Sequence, residues 1–270
     1  MKVSVNHQHV TYQVEGESNP ADSQVLLANS LDLTAGTDWA AAGYVVAPFL
    51  PAPALRQLQQ GLAQLVRDAL TATGLPVAAD FPVSRYHELV GDNQAQHLAV
   101  VNQTKLYSID RLPVPVALLE ARVGELCGRP VRACNPFDEA CIFHLRLVRP
   151  GRTDNNPLHR DVWLPDYDNC VNIYVPVAGS TPNSSLSLIP GSHWWPENQT
   201  ERTLGGAVYN GTAYTVPGVK DNGDVLQQLI RPNPGAEEVL LFSPYLLHGG
   251  AVNLNEDATR ISLEMRFWQA

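Results

Sequence analysis

Four side chains in the second half of this sequence have the types and the order of a metal site followed by an anion clamp. His159 and Asp161 lie two positions apart in LHRDVW, His248 lies in SPYLLHGG, and Arg260 opens RISLEMRFW. Two imidazoles and one carboxylate can hold Fe(II) on one face and leave positions open for a co-substrate and oxygen. A guanidinium can grip a carboxylate through two parallel hydrogen bonds. The pattern therefore predicts an iron site that uses a dicarboxylic co-substrate.

The strand period of two predicts how these side chains are presented. Because residues i and i+2 of a strand share a face, His159 and Asp161 should point together. Trp163 is expected to continue that face as a wall of the pocket. Arg260 and Ser262 share a face of the last strand by the same rule. These segments are far apart in sequence, so a tertiary fold has to bring them together.

Composition and charge exclude some classes of function. The chain has 270 residues, with 18 basic against 27 acidic side chains and a net charge of −9. A general nucleic-acid binder presents a basic surface, so no nucleic-acid partner is expected. The N-terminal residues lack the apolar core of a secretory signal, and no apolar run reaches the length of a membrane span. Together with four cysteines that show no zinc spacing and are expected to be free thiols, these features predict a cytoplasmic protein.

The first half of the chain carries the helical patterns. Leucines recur at three- and four-residue spacing over residues 52–73, with Pro53 in the expected first turn and Gly74 at the expected end. A second helical pattern covers residues 114–127. The N-terminal run VSVNHQHVTYQV is expected to form a peripheral hairpin.

From about residue 140 the pattern changes to short β-rich segments with turn residues between them. No helical pattern separates these segments, which favours antiparallel sheets closed into a jelly-roll barrel. We expect one domain over residues 1–270, mainly β, with a barrel core at about 140–268 and helical and peripheral elements in 1–139. The predicted strands are CIFHLRLV, VNIYVPV, SLSLI, EEVLLFS, LLHGGAVNL and RISLEMRFW.

Short motifs within residues 140–268 resemble the phytanoyl-CoA dioxygenase-like branch of the Fe(II)- and 2-oxoglutarate-dependent oxygenases. The resemblance implies a double-stranded β-helix, a jelly-roll barrel similar to that of cupins, with flanking α-helices. The motifs that carry it are LHRD at 158–161, IPGSH at 189–193, LLHGG at 246–250, and Arg260 with Ser262.

The same resemblance implies roles for individual residues. His159, Asp161 and His248 would bind iron and form the catalytic centre. Arg260, assisted by Ser262, would pair with the far carboxylate of 2-oxoglutarate. Members of this branch often carry an amide residue three positions before the first histidine ligand, which implies that Asn156 contacts the near end of 2-oxoglutarate.

The reaction implied by the resemblance is oxidation of a C–H bond in a small-molecule substrate, with release of succinate and CO2. Related halogenases lack the carboxylate ligand, so the presence of Asp161 favours hydroxylation. Desaturation, cyclisation and epoxidation use the same oxidising chemistry and stay open. Neither the substrate nor the oligomeric state follows from the sequence.

Four further side chains are candidate substrate contacts. Arg146 could meet an acidic group or form a structural salt bridge. Asn172 and Tyr174 alternate with apolar neighbours and could face the barrel interior, next to the wall expected from Trp163. Residues 75–112 and 193–236 are expected to shape the pocket, and the second of these is a long loop of the kind that acts as a lid.

Two other functions are compatible with a barrel of this kind. A cupin-like metalloenzyme that does not use 2-oxoglutarate would share the three metal ligands but would have no need of Arg260. A non-catalytic ligand-binding barrel is the second alternative. It is disfavoured because a carboxylate buried beside two imidazoles is costly without a metal.

Overall fold

The structure is a computed structural model that describes residues 1–20, 22–29, 32–152, 154–220 and 226–270. The helices are α1 (Ala52–Ala72), α2 (Tyr86–Val90), α3 (Gln94–Thr104) and α4 (Val116–Cys127). The strands of the N-terminal half are β1 (Lys2–Val5), β2 (Gln8–Thr11), β3 (Val14–Glu15), β4 (Tyr44–Pro48), β5 (Tyr107–Ser108) and β6 (Val131–Arg132). Those of the C-terminal half are β7 (Ile142–Val148), β8 (Cys170–Ala178), β9 (Ala207–Tyr209), β10 (Thr212–Tyr214), β11 (Leu226–Leu229), β12 (Glu238–Phe242) and β13 (Arg260–Gln269).

One large antiparallel sheet dominates the fold. Its strand order is β4-β12-β8-β13-β7-β5, and β6 pairs with the end of β13. The two longest strands, β8 and β13, are neighbours at its centre. The mainly β architecture with flanking helices confirms the predicted jelly-roll class.

Each central strand presents alternate side chains to two different environments. On β13 the residues Ile261, Leu263, Met265 and Phe267 enter the main hydrophobic core, which they share with the leucines of α1. The polar residues between them point into the barrel, where β7 and β8 contribute their own alternate residues. Burial of one face against helices therefore fixes which side chains of these strands can reach a site inside the barrel.

Helix α1 forms for the reason that the leucine spacing predicts. Its buried side chains are Leu55, Leu58, Leu62, Leu65, Val66, Ala69 and Leu70, which form one stripe on the large sheet. Pro53 lies in the first turn, and Gly74 follows the last turn at φ +84°, where a residue without a Cβ is favoured. Helix α4 ends in the same way at Gly128.

Two of the predicted strands are not regular strands. In SLSLI only Leu188 makes β-type bridges, to Ile230 and His248, and LLHGGAVNL contains isolated bridges at His248 and Asn253. The backbone leaves the strand conformation at Gly249 (φ +85°) and Gly250 (φ +73°). The large sheet therefore forms one continuous wall of the barrel. The other wall, which contains Leu188 and His248, is held together by isolated bridges.

The N-terminal hairpin prediction is confirmed, since β1 and β2 pair antiparallel. In addition, β1 pairs parallel with β11, so this hairpin is part of a small three-stranded sheet. A second small sheet has the order β10-β9-β3. Both small sheets combine N-terminal strands with strands of the segment 193–236, which is therefore not an unstructured loop.

The prediction of four free thiols is wrong for two of the cysteines. Cys134 and Cys141 form a disulfide, and their Cα atoms lie 4.2 Å apart. A turn brings them together, because the Asn135 backbone N–H donates to the Ala140 carbonyl at 2.9 Å. Cys127 and Cys170 are buried free thiols, as expected.

Candidate active site

His159 and His248 lie directly opposite each other across one bridge of the looser barrel wall. The His159 N–H donates to the His248 carbonyl at 3.0 Å, and the His248 N–H donates to the His159 carbonyl at 2.9 Å. Their ring centroids are 4.3 Å apart. This reciprocal pair of backbone hydrogen bonds fixes the separation of two residues that are 89 positions apart in the sequence.

Asp161 points to the same centre because Arg160 between it and His159 has an extended backbone. The period of two holds for this pair and then ends, since a 3-10 turn begins at Asp161 and runs to Trp163. The Asp161 N–H donates to the Pro244 carbonyl at 3.0 Å, which anchors the start of that turn.

Both imidazoles are oriented by hydrogen bonds from their far nitrogen. Nδ1 of His159 lies 2.8 Å from the Pro157 carbonyl, and Nδ1 of His248 lies 2.9 Å from the Leu246 carbonyl. A carbonyl only accepts, so each Nδ1 carries the proton and each Nε2 offers a lone pair. The Nε2 atoms lie 3.5 Å (His159) and 3.9 Å (His248) from the oxygens of Asp161.

The donor set fits a divalent transition metal. Each of the three side chains offers one ligand atom, and these atoms lie within 4.8 Å of one another. Burial, together with the neighbouring His159, lowers the pKa of His248 to about 4, so its imidazole is neutral at pH 7, as a ligand must be. Two imidazoles and one carboxylate, with a backbone carbonyl behind each imidazole, match the ligand shell of non-haem Fe(II) sites.

Two side chains donate hydrogen bonds to the Asp161 carboxylate. Asn172 Nδ2 donates to Oδ2 at 2.9 Å and Arg266 Nη2 donates to Oδ1 at 3.0 Å. Burial alone would raise the pKa of Asp161, but the attraction of the Arg266 guanidinium outweighs it and holds the pKa well below its ordinary value. The carboxylate is therefore charged and fixed in orientation. Asn172 and Arg266 are cross-strand neighbours on β8 and β13, so the large sheet supplies both donors.

Arg260 and Ser262 lie beside this centre on β13, as their shared face predicts. Arg260 is 3% exposed, and its Nη1 donates to Ser262 Oγ at 3.3 Å. Its Nε is buried with no hydrogen-bond partner among the described residues. A buried guanidinium with an unsatisfied donor is a site that an anion can complete.

The three candidate ligands and Arg260 line one cavity of about 230 Å³. Apolar side chains such as Phe242 and Leu186 form part of its wall, and polar and charged groups form the rest. Its remaining lining residues are His144, Arg146, Asn155, Asn156, Leu164, Tyr167, Asn172, Ile173, Thr215, Val216, Gly249, Glu264, Met265 and Arg266.

Arg146 and Asn156 line this cavity, and Arg146 also forms the salt bridge that was considered for it. Arg146 Nε donates to Glu264 Oε2 at 2.8 Å. Its Nη1 reaches Asn156 Oδ1 at 3.5 Å. Asn156 is therefore linked to the charged groups of the cavity through Arg146.

Trp163 and Tyr174, which were expected to contact substrate, are not among the residues that line the cavity. Trp163 turns away because a 3-10 turn has three residues per turn and breaks the period of two after Asp161. Its indole N–H donates to Glu197 Oε2 at 3.0 Å. Tyr174 does face the barrel interior, but it is fully buried behind Arg260 and bonds to Ser180 at 2.7 Å.

Of the two segments expected to shape the pocket, only the second reaches it. Thr215 and Val216, from the segment 193–236, line the cavity. No residue of 75–112 is among the lining residues; this stretch instead carries helix α3, which packs against β7, and helix α2, which contacts α3.

Three charged or titratable residues of the site were not predicted from the sequence. Glu264 and Arg266 follow Arg260 and Ser262 on the inward face of β13, so the period of two in RISLEMRFW carried this signal. His144 lines the cavity next to Arg146 on β7. Burial, together with the nearby arginines, lowers the pKa of His144 to about 4, so it is neutral at pH 7.

The family model described as phytanoyl-CoA dioxygenase matches residues 39–262. No match was found among curated proteins. The non-heme monooxygenase ThoJ in its apo form has a similar structure, with 15% identity, a TM-score of 0.52, and coverage of 88% of this chain and 77% of its own.

Two further solved structures are more distant in shape. AviO1 from Streptomyces viridochromogenes Tue57 has 21% identity and a TM-score of 0.44, covering 87% of this chain and 97% of its own. EctD from S. alaskensis, solved with 2-oxoglutarate and 5-hydroxyectoine, has 16% identity and a TM-score of 0.46, covering 95% of this chain and 84% of its own. Among the described residues, no helix is both long and apolar enough to cross a membrane.

Proposed function

Because this chain belongs to the phytanoyl-CoA dioxygenase family of Fe(II)- and 2-oxoglutarate-dependent oxygenases, we propose that it hydroxylates a C–H bond of a small-molecule substrate. His159, Asp161 and His248 are the proposed iron ligands. The convergence of their three buried donor atoms, which lie within 4.8 Å of one another in one cavity, supports this function most directly.

Arg260 is the proposed partner of the far carboxylate of 2-oxoglutarate. Its guanidinium is buried, lines the same cavity, and has an Nε without a partner among the described residues. Ser262 Oγ holds Nη1 in place. Asn156 is the proposed contact at the near end of the co-substrate, since it lines the cavity three positions before His159.

The proposed reaction consumes the substrate R–H, O2 and 2-oxoglutarate and yields R–OH, succinate and CO2. One oxygen atom of O2 enters the product and the other enters succinate, so atoms and electrons balance. Iron with 2-oxoglutarate supplies the oxidising chemistry. The protein side chains bind and orient: Asn172 and Arg266 hold the Asp161 carboxylate, and the apolar wall around Phe242 excludes water from the metal end.

Neither alternative function explains why these side chains lie together in one cavity. A cupin-like enzyme without 2-oxoglutarate gives no reason for a buried, incompletely paired Arg260 beside the metal ligands. A non-catalytic barrel gives no reason for three metal-ligand atoms within 4.8 Å of one another in a buried cavity.

Two measurements test the proposed function. Anaerobic addition of 2-oxoglutarate to the Fe(II)-loaded protein should produce a visible absorption band, since the co-substrate binds the metal directly. Under air, a screen of small molecules should identify one that gains the mass of a single oxygen atom in step with succinate release. Absence of the band in wild-type protein that has bound Fe(II) would contradict the co-substrate assignment.

A further inference from the structure

Glu264 is a charged residue of the cavity for which the proposed reaction has no role. It is the third residue of the inward row on β13, after Arg260 and Ser262, and its side chain is 21% exposed. Burial alone would raise the pKa of Glu264, but the attraction of Arg146 and Arg260 outweighs it and lowers the pKa to about 2. Its carboxylate is therefore charged at pH 7.

The two oxygens of Glu264 have different partners. Oε2 accepts from Arg146 Nε at 2.8 Å. Oε1 accepts from Ser262 Oγ at 3.2 Å and lies 3.7 Å from Arg260 Nη1. Ser262 Oγ also accepts from Arg260 Nη1 at 3.3 Å, so the hydroxyl links the guanidinium to the carboxylate.

Among the described residues, Glu264 is thus the carboxylate that lies within 4 Å of the guanidinium proposed to bind 2-oxoglutarate. Apart from it, Arg260 contacts Ser262 and the ring of Tyr174, whose centroid lies 5.5 Å from Cζ. The far carboxylate of 2-oxoglutarate requires the donor edge of this same guanidinium. We propose that Glu264 is the internal counter-anion of Arg260, and that it sets the affinity for 2-oxoglutarate by competing with its far carboxylate.

The charge balance of this cluster permits such an exchange. Arg146 and Arg260 carry two positive charges against the single negative charge of Glu264, so the cluster can accept one more carboxylate. When that carboxylate pairs with Arg260, Glu264 keeps its shorter contact with Arg146. Glu264 then remains paired with Arg146, and Arg260 is paired with the co-substrate. No buried charge is left without a partner, an arrangement that would be costly.

This inference rests on the proposed role of Arg260, and binding titrations separate the two. The probe is 2-oxoglutarate, titrated anaerobically into protein loaded with Mn(II). Glu264→Gln keeps the shape of the side chain and removes its charge. We expect the Kd for 2-oxoglutarate to fall by about tenfold or more, since a competing charge within 4 Å of Arg260 is lost. The Kd for Mn(II) should stay unchanged.

The matched control is Glu237→Gln, which neutralises an exposed glutamate and should leave both Kd values unchanged. Glu264→Asp is a second variant, to be used if Glu264→Gln fails to fold. It withdraws the carboxylate from Arg260 by one methylene and should tighten 2-oxoglutarate binding to a smaller extent.

An unchanged or weaker affinity for 2-oxoglutarate in the folded Glu264 variants would overturn the inference. If Mn(II) and 2-oxoglutarate binding weakened together, the role of Glu264 would be structural and the inference would again be wrong. The proposed function itself fails in a different way: wild-type protein would not bind 2-oxoglutarate, or Arg260→Ala would bind it as tightly as wild type.

Discussion

Arg266 donates a hydrogen bond to Asp161 at 3.0 Å, and the two residues are 105 positions apart in the sequence. Asp161 is 2% exposed, and the side chain of Arg266 is 22% exposed. The ion pair therefore compensates a buried carboxylate when no metal is bound. If Asp161 binds the metal as proposed, its carboxylate would be held between Arg266 and the metal ion.

The first prediction concerns this ion pair. Arg266→Gln should lower the free energy of unfolding of the metal-free protein by about 2–4 kcal/mol, because it leaves the buried Asp161 carboxylate without its cation. This loss is smaller than that for a fully buried ion pair because Arg266 is partly exposed. Urea denaturation in the presence of a chelator measures this loss. Mn(II) should stabilise the variant more than it stabilises wild type, since the metal replaces the missing positive charge.

The control for this prediction is Arg132→Gln, which removes an exposed arginine on β6, the neighbouring strand. Its free energy of unfolding should match that of wild type. Equal stabilities for Arg266→Gln and wild type without metal would mean that the ion pair has no energetic role.

The second prediction concerns Arg260. Arg260→Ala should weaken 2-oxoglutarate binding by about 2–5 kcal/mol, because the far carboxylate loses its bidentate partner in a largely desolvated pocket. Binding of Mn(II) should be retained, since no metal ligand changes. Calorimetric titration of both ligands checks this, and an unchanged affinity for 2-oxoglutarate would refute the assignment of Arg260.

The third prediction concerns a buried histidine outside the site. His97 on α3 is 3% exposed, with Nδ1 2.9 Å from the Tyr86 hydroxyl and Nε2 3.3 Å from Asp154. Burial lowers the pKa of His97 from its ordinary value of 6.5 to about 4. Between these two pH values the unfolded chain binds a proton that the folded protein does not, so stability falls as the pH falls through this window.

The loss assigned to His97 is at most about 3 kcal/mol. The free energy of unfolding should be measured as a function of pH for wild type and for His97→Gln. Between pH 6.5 and 4 it should fall more steeply in wild type than in the variant. The exposed His9→Gln is the control and should keep the wild-type profile. Parallel profiles for His97→Gln and wild type across this window would show that His97 has no part in it.

The fourth prediction concerns the segment that borders the cavity. Thr215 and Val216 line it and follow strand β10. We expect amide hydrogen exchange of residues 212–219 to slow when a substrate found by screening is added to the Mn(II)- and 2-oxoglutarate-loaded protein, because a bound substrate would contact these residues. Unchanged exchange here, with slower exchange around His159, would exclude a lid role for this segment.

The periodic spacing of residue types within single strands and helices already indicated which faces are buried and which point into the site. The alternation in RISLEMRFW divides β13 into an apolar face and an inward polar face, and it already contained Glu264 and Arg266. The leucine spacing of α1 likewise determined which helical face is buried. That residues 1–270 form one domain stays a prediction.

Local sequence patterns did not predict where a side chain points when the backbone changes conformation within a motif. Trp163 was expected beside Asp161, but the 3-10 turn that begins at Asp161 directs it to Glu197. The Cys134–Cys141 disulfide depends on a turn that the cysteine spacing alone does not indicate.

The sequence by itself determined the residue types of the site: two imidazoles, one carboxylate and a trailing guanidinium, presented by segments of strand character. Only the tertiary structure decided their partners. His159 faces His248 through one bridge, and Arg266 reaches Asp161 because β13 lies next to β8 in the large sheet. The physical reason is that periodicity fixes the face on which a side chain lies, whereas strand order and register, which depend on the packing of the whole chain, fix what that face meets.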